Sequence, residues 1–257
     1  MNSKNLNIRR QDRVGWIEYQ RPPVNAINWE MLQEIPAALE ELLGDANVRV
    51  IVFASAIEKY FSVGADLKLF ESLGQDGMRK WMTLCHDLVR KMRHSSKPLL
   101  AAIHGTAVGA GFEAVLHCDV RFAASDARIG QPEVNIGLLP GVGTTQSLAR
   151  LLGRTHAIRF LYEGALVSAE EAATIGLVDI VYPRDRLRDE VQGYARALAD
   201  KPAKCLAAIR RTITLGGSVA FDEGLKMEYD AEVELAGTRD FEEGIRAFLE
   251  KRPPRWE

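Results

Sequence analysis

The sequence predicts an α/β protein with a mostly parallel sheet, followed by a helical C-terminal part. Two observations carry this. Nearly unbroken apolar runs, Val48–Ala54 and Pro98–Ile103, alternate with helical patterns up to about residue 183. Strands covered on both faces and separated by helices are what parallel pairing requires. Beyond residue 140, Gly143, Gly153, Gly164, Gly176 and Gly216 punctuate stretches that read as helices, and Val178–Val181 is the only strand-like run. From residue 184 to 257 the pattern is helical throughout.

The elements follow in order. Met1–Gln11 is polar and has no apolar core of a signal peptide. Arg9 and Arg10 do not make a transit peptide, because a strand pattern over 14–20 follows at once. A helix over 29–43 places Met31, Leu32, Ile35, Leu39, Leu42 and Leu43 on one side, with Asn28 as its cap. A strand over 48–54, a helix over 76–93 and strands over 98–103 and 119–124 come next.

Composition excludes several classes. The chain has 257 residues, 33 basic and 35 acidic side chains, and a formal net charge of −2. That balance points away from nucleic acid and from anionic membranes. No apolar run approaches the roughly 20 residues that span a bilayer, so a cytoplasmic protein is expected. Cys85, Cys118 and Cys205 are odd in number and widely spaced, which fits neither a disulfide framework nor a zinc knuckle. The five histidines show no metal spacing, and no metal is expected.

Three segments carry chemistry. In Phe61-Ser-Val-Gly-Ala-Asp-Leu-Lys68, Gly64 allows backbone angles closed to other residues and frees the N–H of Ala65 to point outward; taken alone, the segment also reads as an ordinary strand-to-helix turn. In His104-Gly-Thr-Ala-Val-Gly-Ala-Gly-Phe-Glu113, two glycines flank the start of a helix reaching about Cys118. The first N–H groups of a helix lack internal partners and carry the positive end of its dipole, so Ala110 is an anion site. Glu113, three residues on, shares its face. That suits proton transfer beside a developing oxyanion better than it suits holding a resident anion. In the third segment, Gly130 to Thr144, Pro132 and Pro140 fix turns, Thr144 or Thr145 can cap the next helix, and Glu133 sits among apolar residues. Burial there would raise its pKa and suit it to acid work; in isolation it also reads as a capping or ion-paired Glu. Spacing alone does not bring Glu113 and Glu133 together.

Together these segments resemble the crotonase family, the enoyl-CoA hydratase/isomerase superfamily. The resemblance runs from Val14 and Arg21-Pro-Pro-Val-Asn25-Ala-Ile-Asn28 through Gly64-Ala-Asp66, Gly105 to Glu113, Cys118-Asp-Val-Arg121 and Gly130-Gln-Pro-Glu133, then through Leu166-Val-Ser168-Ala-Glu170 and Gly176-Leu-Val-Asp179 to Phe248-Leu-Glu-Lys-Arg252. It implies a spiral of ββα units over 1–183 holding a thioester site, and a helical region over 184–257 that builds trimers or dimers of trimers. It implies an acyl-CoA substrate, so that coenzyme A enters with the substrate and no separate cofactor is needed. By the same resemblance Ala65 and Ala110 supply the oxyanion-hole N–H groups, and Asp66, Leu67 and Lys68 line the adenosine end of CoA. Phe248 and Lys251 match positions that reach a neighbouring subunit's CoA.

Two glutamates, Glu113 and Glu133, match the pair that hydratases carry. Adding water across a C2–C3 double bond needs a base for the water and an acid for the α carbon; Glu113 is assigned to the first and Glu133 to the second. A Δ3–Δ2 enoyl-CoA isomerase and a dehydratase of a carrier-bound thioester remain open within the family. Ala110 stands where a glycine is common, Thr144 replaces a frequent glycine and Ser147 a frequent arginine; these changes are expected to leave the mechanism alone and to alter the substrate. Outside the family, Gly109-Ala-Gly-Phe-Glu-Ala114 fits a loose dinucleotide fingerprint. That reading leaves Gly64-Ala-Asp66 and Glu133 unexplained, and a non-catalytic scaffold leaves the paired acids unexplained.

Overall fold

The computed structural model describes residues 3–257, so Met1 and Asn2 of the polar N-terminal segment lie outside the described residues. Leu6–Gln11 (β1) pairs antiparallel with Val14–Tyr19 (β2) across a turn in which Asp12 and Arg13 take positive φ. Trp29–Gly44 (α1) follows, with Asn28 Oδ1 accepting the N–H of Met31 at 2.9 Å, as the capping pattern predicts. The chain then alternates: Val50–Ser55 (β3), Tyr60–Ser62 (β4), a 3₁₀ turn over Leu67–Ser72, Gly74–Arg93 (α2), Leu99–Ile103 (β5), Thr106–Val108 (β6), Ala110–Val115 (α3), Val120–Ala124 (β7) and Arg128–Gly130 (β8). A 3₁₀ turn over Pro132–Ile136 leads to Thr144–Leu152 (α4), Arg154–Glu163 (α5), Leu166–Ser168 (β9), Ala169–Thr174 (α6) and Ile180–Tyr182 (β10). Helices Arg184–Ala199 (α7), Ala203–Thr214 (α8), Phe221–Ala236 (α9) and Arg239–Leu249 (α10) complete it.

Two sheets run side by side. The larger has the order β1-β2-β3-β5-β7-β10 and is parallel except at β1. The smaller has the order β4-β6-β8-β9, antiparallel only at β9. Each central strand of the large sheet is followed at once by a strand of the small one, and a helical segment then returns the chain one position further along. This is the spiral of ββα units that the resemblance implies.

The sequence pattern missed β1 and the short strands. β1 buries only Leu6 fully and carries charged residues outward, so it reads as polar. β4, β6, β8 and β9 are three residues each, too short for a period to register. The strand expected at Val178–Val181 starts at Ile180, and Leu166–Ser168 adds a second strand to that region.

Both faces of the large sheet are covered. Ile17, Ile51, Phe53, Leu99 and Ala101 face α1 and α2 in one core. Val14, Trp16, Val52, Leu100 and Phe122 face α7 in the other. Leu187, Val191, Ala195 and Ala199 recur every four residues along α7 and form its buried stripe. Edge contacts add to it: Trp16 Nε1 donates to Gln192 Oε1 at 2.8 Å, and Arg188 pairs with the buried Glu18 at 2.7 Å.

Arg210 ties the helical tail to this core. Its guanidinium is 4% exposed and lies 2.8 Å from Asp119 Oδ2, which also accepts the N–H of Leu99. Its remaining N–H groups go to the carbonyls of Met92, Arg93 and Ser95, where α2 ends. The outward side of the tail is different. Phe221, Leu225, Tyr229 and Val233 form an exposed stripe on α9, and Phe248 is exposed on α10. No helix among the described residues is long and apolar enough to cross a membrane.

Breaking a buried, hydrogen-bonded ion pair leaves an unpaired partner. Arg210→Met is expected to lower unfolding free energy by about 3 kcal/mol in chemical denaturation, with Arg210→Lys intermediate because it keeps the charge but loses the planar fork. Equal denaturation midpoints for wild type and Arg210→Met would refute this anchoring role.

Candidate active site

The site starts from a buried asparagine. Asn25 is fully buried with φ 53°. Its side-chain N–H groups reach Ser55 Oγ at 2.8 Å and the Phe61 carbonyl at 2.9 Å, while its Oδ1 accepts from Arg21 N–H at 2.7 Å. Ser62 Oγ donates to the Asn25 carbonyl at 2.7 Å and accepts from Gly64 N–H at 3.1 Å. The segment leaving β4 is thereby fixed against the segment 21–28. Ile27 forms a parallel bridge with Ala65, in which Ile27 N–H goes to the Gly64 carbonyl and Asp66 N–H to the Ile27 carbonyl. In a parallel bridge the middle residue's own N–H points away from its partner strand. The N–H of Ala65 therefore faces the opposite side, and has no protein acceptor among the described residues.

The second N–H comes from α3. Phe112 and Glu113 N–H both bond the Gly109 carbonyl, so the helix is built from Gly109 onward and the N–H of Ala110 is left over. Gly64 and Gly109 take φ 88° and 52°, conformations that side chains resist. A Cβ on Gly64 would lie 3.0 Å from the Val108 carbonyl oxygen and 3.3 Å from Ala110 N. A Cβ on Gly111 would lie 2.4 Å from Ser62 Cβ. Absence of side chains is what lets the two backbone segments touch.

Glu113 is 3% exposed, on the face of α3 predicted from its spacing. Its Oε2 accepts two hydrogen bonds: Val142 N–H at 2.8 Å and Thr144 Oγ1–H at 2.5 Å. Burial pushes its carboxyl up to about 8; the charge of Glu133 adds to this, and the two donors work against it. Glu133 stands in the 3₁₀ turn after β8, half-buried, and burial raises its pKa also. A Cβ on Gly109 would lie 2.8 Å from Glu133 Oε1, so the second acid sits directly over the start of α3. The hydrogen-bond network orients the amide nitrogen of buried Gln131 toward both Glu133 oxygens, at 3.0 and 3.2 Å.

Ala65, Ala110, Glu113 and Glu133 line one cavity of about 130 Å³ together with Leu67. Its remaining walls are apolar, with Phe70, Met78, Trp81 and Met82 on one side and Leu138 and Leu139 on the other. Trp81 meets Phe70 and Trp29 edge-on, at 5.4 and 5.2 Å between ring centroids. The two glutamates are the only charged residues in this lining.

The other expected residues lie elsewhere or have other partners. Asp66 is 3.0 Å from Arg21 Nη2 in an ion pair that helps hold the segment 62–66, and Lys68 is exposed beside it. Phe248 and Lys251 lie at the end of α10, outside the cavity lining. His104 bonds the Ile57 carbonyl and His117 the Val142 carbonyl, which is structural use. Cys85 and Cys118 are buried free thiols and Cys205 is partly exposed.

Thr144 corrects one expectation. Neither it nor Thr145 caps α4, since Gly143 with φ 76° occupies the cap and no side chain bonds there. The fully buried hydroxyl of Thr144 rests on Glu113 instead. Sequence reasoning also missed Ser62 and Gln131 and gave Asn25 no role; Asn25 and Ser62 are buried polar residues that meet across a gap of more than thirty residues, and Gln131 meets Glu133 two residues on.

The family model described as enoyl-CoA hydratase/isomerase matches residues 9–257. A short-chain-enoyl-CoA hydratase of Clostridium acetobutylicum is 32% identical over 253 residues, covering 98% of this chain and 97% of its own. A 2,3-dehydroadipyl-CoA hydratase of Escherichia coli is 35% identical over 254 residues, covering 97% of each. An enoyl-CoA hydratase structure from Geobacillus kaustophilus superposes with a TM-score of 0.97 at 31% identity, covering 100% of this chain and 98% of that one.

The elevated Glu113 carboxyl links pH to stability. Folding raises its value from 4.5 to about 8, so the unfolded chain ionises first. The stability tied to this group is complete below the lower value and is lost as pH rises toward the higher one. Glu113→Gln removes the effect. Its thermal midpoint is expected to rise relative to wild type as pH goes from about 5 to about 8.5; a constant difference across that range would count against a protonated, buried Glu113.

Proposed function

The chain belongs to the enoyl-CoA hydratase/isomerase family, and from that premise we propose that it hydrates the C2–C3 double bond of a 2-enoyl-CoA thioester through an enolate. One observation carries the reading: two backbone N–H groups without protein acceptors among the described residues, one buried carboxyl and one half-buried carboxyl line a single apolar cavity.

The thioester carbonyl is taken up by the N–H groups of Ala65 and Ala110. As C3 accepts oxygen, charge moves onto that carbonyl, and donors fixed in advance stabilise it; one such donor is typically worth about 3 kcal/mol. Glu113 takes the proton from water as the oxygen joins C3, and Glu133 delivers a proton to C2. One proton shared between two carboxyls matches this need, since base and acid must be in opposite states at the start. The apolar walls exclude water other than the reactant and strengthen each electrostatic contact.

The same cavity bears on substrate class. It offers no cation for a second carboxylate, so an apolar short acyl group fits it better than a dicarboxylic one. Leu67 lines the cavity, and in this reading Asp66, Leu67 and Lys68 meet the CoA moiety where it leaves. Phe248 and Lys251 serve a neighbouring subunit in this reading. The exposed apolar stripe of α9 supports assembly into trimers or dimers of trimers, because faces of this kind are normally covered.

The test is the loss of conjugated enoyl-thioester absorbance with crotonyl-CoA. Wild type is expected to turn over, and Glu113→Gln and Glu133→Gln each to lose about 10²–10⁴-fold in kcat. A dicarboxylic enoyl-CoA is expected to react with a kcat/KM at least about 10-fold lower. No absorbance loss from a protein that binds CoA would overturn the hydratase reading and favour isomerisation.

A further inference from the structure

We propose that Thr144 is a positioning residue that biases the proton shared by the two glutamates, by donating its hydroxyl to Glu113 and easing the ionisation of Glu113 that burial resists. The consequence for catalysis rests on the hydratase reading; the contact itself does not.

The argument starts with the two oxygens of Glu113. Oε2 is occupied by two donors, Val142 N–H and the Thr144 hydroxyl. That leaves Oε1 as the oxygen free to act in the cavity. Thr144 is fully buried, so its hydroxyl has no water to compete for it. Gly143, at φ 76°, ends the preceding turn and makes Thr144 the first residue of α4, which aims its side chain back at α3. A short hydroxyl–carboxylate contact in a dry setting is of the strong, charge-assisted kind.

Apart from the Val142 N–H, every other group facing Glu113 pulls the opposite way or is neutral. Glu133, from the 3₁₀ turn after β8, repels a second negative charge. Gln131 donates to Glu133, and so favours ionised Glu133 and protonated Glu113. Cys85, from α2, is a thiol that burial pushes up to about 12 and adds no charge. His117, in the turn after α3, bonds the Val142 carbonyl, and burial lowers it to about 4, so it is neutral too. Against burial, Glu133 and Gln131, the donors favouring ionised Glu113 are one backbone N–H and Thr144. The backbone N–H is present whatever residue stands at 144. The hydroxyl is the adjustable part.

Hydration needs Glu113 ionised and Glu133 protonated at the start. Thr144 tips the shared proton toward that arrangement, and a glycine at this position would not.

The experiment titrates Glu113 by infrared spectroscopy in Glu133→Gln protein, where only one of the paired carboxyls is left and no substrate is needed. Thr144→Val is expected to raise the Glu113 midpoint by about one pH unit, about tenfold in acidity, and Thr144→Ser to restore it. Thr144→Ala removes the same hydroxyl with a smaller side chain and serves where valine does not fold. In protein with both glutamates, the acid limb of the kcat/KM profile is expected to move upward in parallel. Unchanged midpoints in the folded Val or Ala variants would overturn the proposal, whatever crotonyl-CoA turnover shows. A shifted midpoint without crotonyl-CoA turnover would uphold it and overturn the hydratase reading instead.

Discussion

The site depends on a backbone-to-backbone contact. The segment leaving β4 and the start of α3 approach so closely that a methyl group on Gly64 or Gly111 would press into the facing chain. The approach is secured from behind by polar groups that are fully used: Asn25 holds Ser55 and the Phe61 carbonyl, and Ser62 holds Asn25 and Gly64. Buried amides and hydroxyls of this kind are costly when unpaired and specific when satisfied. Their role is to fix a geometry, and the apolar cores on either side of the large sheet supply the stability that makes this possible.

Electrostatics adds a second layer on that frame. Two acids in one apolar cavity cannot both ionise cheaply. Burial raises both, Thr144 and the Val142 N–H relieve Glu113, and Gln131 relieves Glu133. The balance is struck by neutral hydrogen-bond donors. A cation in the same position would stabilise both carboxylates and remove the reason for sharing a proton.

Much of this was legible in the sequence, and the pattern of what was not is physical. The long elements follow periodicity: α1 with its Asn28 cap, α2, and the buried strands β3, β5 and β7. Gly64, Gly109 and Glu113 marked themselves because local backbone chemistry limits what glycines and a helix start can do. The short strands of the small sheet have three residues and no period to read. Glu113 and Glu133 could be paired only by resemblance, since their contact is made by a change of element. Thr144 was misread for a related reason. A threonine at a helix start usually caps it, and only the packing of α4 against α3 reveals that the hydroxyl is directed elsewhere.

The ladder between β4 and β6 has a further consequence. Ser62 is paired with Ala107, and Ala65 and Ala110 each lie three residues beyond. The two donors thus lie the same number of residues past one paired position on neighbouring strands. Adjacent strands stand about 4.8 Å apart. Two N–H groups that each meet one oxygen at about 2.9 Å, from directions about 110° apart, have nitrogens separated by nearly that distance. A chain wound into a spiral with the pitch of a β-sheet therefore has the bite of a two-donor clamp built into its repeat. Glu133 follows the next strand, four residues beyond Ile129, which also pairs with Ala107. A clamp of this kind would take its dimensions from the sheet spacing, and side chains would decide only its use.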